Sequence, residues 1–147
     1  LRTMTFGSAM LNVPTISEIA KAVESAGADG ITAINTMPGM AIDINTAKHK
    51  LTNKSGGLSG SSLRPIAVKC IYDIYKSVKI PIIGTGGVLT GNDAIELMMA
   101  GASAVGVGSA IYYRGINVFK KINDEISDFM KKNNYSSLKD IVGKAHE

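Results

Sequence analysis

An α/β fold with a parallel sheet, one part of a (β/α)8 barrel, is predicted by three observations. Two short apolar runs end in glycines and lead into segments of helical pattern: Ile82-Ile83-Gly84-Thr85-Gly86-Gly87-Val88 and Ala104-Val105-Gly106-Val107-Gly108-Ser109. They lie one βα unit apart. A helix-to-strand turn recurs as Ala26-Gly27-Ala28-Asp29-Gly30 and Ala100-Gly101-Ala102-Ser103-Ala104. Strands alternating with helices imply a parallel sheet. The chain has 147 residues, whereas an eight-stranded barrel needs roughly 200 or more, so only part of a barrel is expected.

The elements follow in order. From Thr15, Ile16, Ile19, Ala20 and Val23 recur at helical spacing, with Thr15 and Glu18 placed as a capping box and Gly27 as the C-cap. Residues 30–35 read as a buried strand. The pattern between Met37 and Gly60 is irregular, and residues 41–45 and 48–52 are expected to form a small hairpin over the barrel mouth. Residues 63–78 form the second helix, with Pro65 in its first turn, where a missing N–H costs little. A strand over 80–84, a helix over 92–100 closed by Gly101, and a strand over 104–108 come next. Residues 116–132 read as a long amphipathic helix carrying Ile116, Phe119, Ile122, Ile126 and Phe129. Residues 136–145 read as a short terminal helix capped by Ser136 or Ser137. A strand should also precede the Thr15 helix, but residues 1–11 give no clean strand pattern and are read as an atypical leader. No linker or second domain is visible, so residues 1–147 are read as one partial-barrel domain.

Hydrophobic residues make up 45% of the chain and aromatics 5%, the aliphatic balance of a sheet covered by helices. The net charge is +4, but the basic residues are scattered, apart from Lys120-Lys121 and Lys131-Lys132. They read as solvated helix faces and not as a nucleic-acid surface. The lone cysteine, Cys70, suits a reducing compartment, and a cytoplasmic location is expected. No apolar run approaches the roughly 20 residues of a membrane span, and no signal peptide is visible.

The chemistry concentrates in the glycine-rich turns. Glycine lets backbone approach a ligand closely, and N–H groups at a following helix N-terminus favour an anion. In (β/α)8 barrels a phosphate is commonly held by the loops after strands 7 and 8. A phosphate-bearing ligand, most simply a cofactor, is therefore expected at the two glycine-rich turns. Other residues invite blander readings. Cys70 sits mid-helix at an apolar position and reads as core, not as a nucleophile. His49 and His146 lack metal-ligand spacing and read as surface residues, and no metal site is expected. Asp43 and Asp73 form no carboxylate pair. Met98 and Met99 read as helix packing, and Tyr112-Tyr113 as packing or surface.

From about Asn12 onward the sequence resembles class 1 dihydroorotate dehydrogenases, and most nearly the NAD-linked branch. The matching segments are Ile34-Asn35-Thr36, Gly39-Met40-Ala41-Ile42-Asp43, Gly56-Gly57-Leu58-Ser59-Gly60, Arg64-Pro65-Ile66-Ala67, and the two glycine-rich runs. The resemblance implies the C-terminal half of an FMN-dependent TIM barrel that oxidises dihydroorotate to orotate in pyrimidine synthesis. It also implies an iron–sulfur flavoprotein partner subunit. By resemblance, Asn35 and Thr36 contact substrate, Ile34 and Gly60 pack near the flavin, and Gly86, Gly87, Gly108 and Ser109 cradle the FMN phosphate.

The departures also carry expectations. The family's catalytic base, a cysteine or serine, belongs to its N-terminal half, which this sequence does not match, so no catalytic residue is assigned here. A family Lys-Leu-Ser-Pro-Asn run reads Ser8-Ala9-Met10-Leu11-Asn12: Asn12 is kept and Ser8 stands in the lysine's place. A truncated or frame-disrupted gene, or a fragment with a foreign leader, is expected, and with it a chain that self-associates or pairs with a complementary N-terminal half. Two other readings remain open. One is a flavin enzyme for dihydropyrimidines or dihydrouridine, against which Asn35-Thr36 with residues 56–60 argues. The other is a non-catalytic half-barrel that binds a phosphate ligand.

Overall fold

The structure, a computed structural model, describes residues 15–147 and the backbone of one earlier strand, Phe6–Ser8. Asn12 and the rest of the 1–14 segment, including the Ser8 side chain, lie outside the described residues. The elements are β1 (Phe6–Ser8), α1 (Ile16–Ser25), β2 (Gly30–Ala33), β3 (Met37–Gly39), β4 (Ile42–Asp43), β5 (Lys48–His49), β6 (Gly56–Leu58), α2 (Arg64–Tyr75), β7 (Ile82–Thr85), α3 (Gly91–Met99), β8 (Ala104–Gly106), α4 (Ala110–Arg114) and α5 (Val118–Lys132). One four-stranded sheet runs in the order β1-β2-β7-β8, and every pairing in it is parallel.

The anticipated strand before α1 is present after all. Phe6 pairs with Gly30, Gly7 with Ile31 and Ser8 with Thr32. A three-residue strand is too short to show an alternation, and its extended state is fixed by the neighbouring strand.

Helices α1, α2, α3 and α5 pack side by side, each against the next, and the first three also lie on the strands. The seam between them is aliphatic. Ile31 and Ile82 from the sheet, Ile71 and Ile74 from α2, Leu97 from α3 and Val118 from α5 are all buried. Cys70 is buried in the same core, as expected, and burial pushes its thiol pKa up.

The recurring helix-to-strand turn is a Schellman motif. After α1, the Gly27 N–H donates to Glu24 O (2.9 Å) and the Ala28 N–H to Val23 O (3.3 Å). After α3, the Gly101 N–H donates to Met98 O (2.9 Å) and the Ala102 N–H to Leu97 O (3.0 Å). After α5, Asn134 takes the left-handed position with φ +58°, consistent with the preference for Gly or Asn there.

Several local expectations are corrected. The Thr15 side chain caps nothing, because its backbone (φ −99°, ψ 17°) is not the extended one a cap requires. Complete capping boxes form instead at Thr90/Asp93 and Ser137/Asp140. Ile19 stays partly exposed while Ile16 and Ala20 are buried. The long helix begins at Val118, not Ile116, and a separate short helix, α4, precedes it across Gly115 (φ +76°). The buried stripe of α5 is Val118, Ile122 and Ile126, while Ile116 is 71% exposed and Phe119 is also exposed. The terminal helix resolves into two 3-10 turns, Leu138–Asp140 and Lys144–His146. The hairpin forms as β4 against β5, and a second ribbon, β3 against β6, encloses it. His49 is exposed as expected. His146 is half-buried instead of fully exposed: it stacks on Tyr72 at 3.9 Å between ring centroids, and a ring nitrogen lies 3.0 Å from Ala100 O.

A Cβ at Gly101 (φ +125°) would lie 2.3–2.5 Å from the Tyr75 side chain, whereas one at Gly27 (φ +89°) meets nothing within 4 Å. Gly27→Ala is expected to cost about 1 kcal/mol, for the backbone alone. Gly101→Ala should cost about 2–4 kcal/mol, because overpacking adds to the same term. Denaturation midpoints check the order; equal losses would mean that Tyr75 yields without cost.

Candidate functional site

The C-terminal ends of β2, β7 and β8 open onto one cavity of about 290 Å³, at the small end of ligand pockets (roughly 300–1,000 Å³). Three strand ends supply its wall: Ile34, Asn35 and Thr36 after β2; Thr85 with Gly86, Gly87 and Val88 at the end of β7; and Gly106, Val107, Gly108 and Ser109 at the end of β8. Ser59, Gly60 and Leu63, between β6 and α2, complete it. All eight residues singled out in the sequence line this one space. A parallel sheet makes this possible, since every strand delivers its following loop to the same end.

The floor is tied across strands. Thr85 Oγ1 donates to Ile34 O (2.7 Å) and the Ile34 N–H donates to Thr85 O (3.0 Å). A Cβ on Gly106 would meet Thr85 Cγ2 at 2.4 Å, so this glycine makes room for the threonine. Thr85 was not among the expected site residues, although its place within the glycine run was the available signal. Ile34 is buried, while Asn35 and Thr36 are exposed at the cavity. Asn35 Oδ1 accepts from the Thr36 N–H (2.7 Å), which fixes the carboxamide plane. The Gly-Gly-Leu-Ser-Gly run lets the β3/β6 ribbon press on this pair: a Cβ on Gly57 would meet Thr36 Oγ1 at 2.1 Å.

The Gly86-Gly87 turn is held by protein, not shaped only for a ligand. Gly87 has φ +73°, and a Cβ there would meet Arg64 Cβ at 2.7 Å, Arg64 N at 2.8 Å and Gly60 O at 2.9 Å. A side chain at Gly87 would thus strike the start of α2 whether or not a ligand is bound. Gly108 differs, since a Cβ there meets nothing within 4 Å.

The α3 N-terminus is also not the open anion site expected from the sequence. Asp93 Oδ2 accepts from the Leu89 N–H (2.9 Å) and the Thr90 N–H (2.8 Å), and Thr90 Oγ1 accepts from the Asp93 N–H. The Gly91 N–H donates to Glu125 Oε2. These carboxylates occupy the positive end of the helix. The N–H groups of Gly87, Gly108 and Ser109, by contrast, donate to no protein acceptor among the described residues. An anion in the cavity would thus meet loop N–H groups. Among the cavity residues none is Asp, Glu, Lys, Arg, His or Cys, and no cluster of metal-ligating side chains occurs among the described residues. Tyr112 and Tyr113, beyond Ser109, are exposed and meet edge to face.

Two guanidinium groups flank the turn. Arg64 pairs with Asp93 and, at 3.0 Å, with Glu96. Arg114 pairs with Glu125 Oε1 at 2.6 Å and donates to Leu89 O at 2.6 Å. The hydrogen bond from Arg114 holds the Glu125 carboxyl below its ordinary 4.5, and the Gly91 N–H adds to the effect against partial desolvation. A depressed folded-state pKa contributes stability that is present above the ordinary value and lost as pH falls through the folded one. The Glu125 side chain is 37% exposed, so the contribution should stay within about 1 kcal/mol after solvent screening. In denaturation from pH 6 to pH 3, the advantage of the natural chain over Glu125→Gln is expected to shrink below about pH 4.5. A constant difference across that range would contradict the assignment.

The family model for dihydroorotate dehydrogenase matches residues 11–130. The chain is 56% identical over 136 residues to the dihydroorotate dehydrogenase B (NAD(+)) catalytic subunit of Methanocaldococcus jannaschii, covering 92% of this chain and 44% of that protein. It is 52% identical to the corresponding subunit of Methanosarcina acetivorans, covering 92% and 43%. Two crystal structures of DHODH from Eimeria tenella, one with ferulenol and one ligand-free, superpose with a TM-score of 0.83 at 29% and 30% identity. They cover 99% of this chain but only 39% and 41% of theirs. The chain thus spans less than half the length of the relatives it matches. The partial parallel barrel, the order of its glycine turns and these matches together place the chain in the dihydroorotate dehydrogenase family.

Proposed function

We propose that this chain carries the flavin-phosphate and substrate-contacting portion of an FMN-dependent dihydroorotate dehydrogenase of the NAD-linked type. The reaction is oxidation of dihydroorotate to orotate. The observation that carries the reading is the convergence of Ile34, Asn35, Thr36, Gly60, Gly86, Gly87, Gly108 and Ser109 on one cavity. The residues suit a phosphate: unclaimed N–H groups at Gly87, Gly108 and Ser109, and no carboxylate on the wall to repel it. When bound, FMN would supply the two-electron acceptor.

The chain's own groups would do the rest. Gly87, Gly108 and Ser109 would hold the phosphate through backbone N–H groups. Ile34 and Leu63 would pack against the flavin and exclude water. Asn35, its oxygen engaged by the Thr36 N–H, keeps its NH2 group for a carboxylate or carbonyl of the substrate. The wall carries no carboxylate, imidazole, amine or thiol, only the hydroxyls of Thr36, Ser59, Thr85 and Ser109, and by the family resemblance removal of the substrate proton would fall to a group outside the matched segment.

The partner reading rests on the relatives' description as catalytic subunits, which suits an iron–sulfur flavoprotein taking electrons onward to NAD. Among the described residues, β8 has an unpaired outer edge. An open strand edge favours pairing with a second copy or with a complementary chain, and sedimentation of the purified chain tests it. No helix among the described residues is long and apolar enough to cross a membrane; a cytoplasmic location remains part of the proposal.

Two outcomes are expected of the purified chain. First, dihydroorotate oxidation should fall at least about 10²-fold below a complete enzyme, the usual share of general-base catalysis; full turnover would refute this. Second, Gly108→Val, which meets open space in the protein, should weaken FMN binding while leaving the melting temperature unchanged. Unaltered FMN affinity in that variant would place the ligand elsewhere.

A further inference from the structure

We infer that Arg114 and Glu125 are positioning residues for phosphate recognition, although neither lines the cavity. The inference rests on the FMN-phosphate reading of that cavity. The turn that leaves β7 has two parts. Gly86, Gly87 and Val88 face the cavity, while Leu89, Thr90 and Gly91 enter α3. Every backbone polar group named in the second part is held by a charged side chain. Arg114 donates to Leu89 O, Glu125 accepts from the Gly91 N–H, and Asp93 accepts from the Leu89 and Thr90 N–H groups. Arg64 closes the other side on Asp93, and its own backbone abuts Gly87.

One consequence follows for an anion in the cavity. Glycines are conformationally permissive, so the Gly86-Gly87 backbone points its N–H consistently only if its exit is fixed. The three-point tie of Arg114 to Leu89 O and Glu125, and of Glu125 to Gly91, fixes that exit. Lysine cannot reproduce the Arg114 arrangement, because a single ammonium lacks the planar fork that reaches a carbonyl and a carboxylate together.

The test compares FMN with riboflavin, which lacks the phosphate, by flavin fluorescence titration of the natural chain, Arg114→Lys and Glu125→Gln, each with a thermal melt. The natural chain is expected to prefer FMN. Both variants should lose about tenfold in FMN affinity, the scale of one charge-assisted hydrogen bond, with riboflavin affinity unchanged, so the FMN-to-riboflavin ratio collapses. A merely structural role would weaken both ligands together and leave the ratio intact; that result, or an unchanged FMN affinity in folded variants, overturns the inference alone. If the natural chain binds neither flavin, or binds both equally, the phosphate reading itself fails. Should Arg114→Lys fail to fold, Glu125→Gln, which keeps an acceptor for the Gly91 N–H, reads the same ratio.

Discussion

The turn between β7 and α3 is the constraint around which the molecule is organised. Its glycines are needed because α2 starts against it: Gly87 has no room for a Cβ beside Arg64 and Gly60. Its exit is needed because α3 must start with its N–H groups satisfied. Two carboxylates from different helices, Asp93 on α3 and Glu125 on α5, supply the acceptors, and two guanidinium groups, Arg64 on α2 and Arg114 on α4, balance them. Four helices are thereby registered on one turn. Hydrogen bonds to charged groups contribute about 1.5–3 kcal/mol each, but removing one partner of a desolvated pair strands the other. The arrangement is therefore better understood as fixing geometry than as adding net stability. Asp93, 9% exposed, is the member most exposed to that penalty.

The opposite end of the sheet is built on different physics. There the helices return to strands through Schellman turns, and the packing is aromatic. Tyr75 fills the space over Gly101 and Gly143, while His146 stacks on Tyr72 and reaches Ala100 O. No cavity residue comes from this end. Barrel enzymes generally place stability at the N-terminal face and chemistry at the C-terminal face, and the division of glycines in this chain follows the same line. Gly101 and Gly143 accommodate a ring, whereas Gly86, Gly87 and Gly108 bring backbone N–H groups to a cavity.

What could be read from the sequence was what short-range physics encodes. The strands at Ile82 and Ala104 announce themselves by apolar runs ending in glycine, the strand at Gly30 by an apolar run just after a helix-closing turn, and Gly27 and Gly101 by following amphipathic helices. The site was legible because parallel strands carry their loops to one end, so residues far apart in sequence had to meet. Tertiary effects were not legible. β1 is extended because β2 pairs with it; nothing in Phe6-Gly7-Ser8 demands a strand. Thr15 and Glu18 had the right letters for a cap but the wrong backbone, while Thr90 and Asp93 had both. His146 looked like a solvated terminal residue because no local pattern records that Tyr72, 74 positions earlier, offers it a face. The plugged α3 N-terminus was hidden for the same reason, since half of the plug comes from Glu125 on another helix.

That plug bears on how the proposed anion would be recognised. A helix dipole acts as roughly half a charge at its end, and an open α3 would add that attraction near the cavity. With Asp93 and Glu125 filling it, the attraction would pass to individual N–H groups at Gly87, Gly108 and Ser109, on two different loops. Such donors act over hydrogen-bond distance and demand a ligand of matching shape, whereas an open helix end or a lysine would accept almost any anion. Specificity then depends on how accurately the two loops face each other. One follows β7 and the other β8, and the pairing of Gly84 with Val105 and Thr85 with Gly106 sets their separation. The sheet register, the threonine beneath Gly106 and the ion pairs behind Leu89 thus act together: they hold neutral donors still, so that on the proposed reading geometry and not net charge would select what binds.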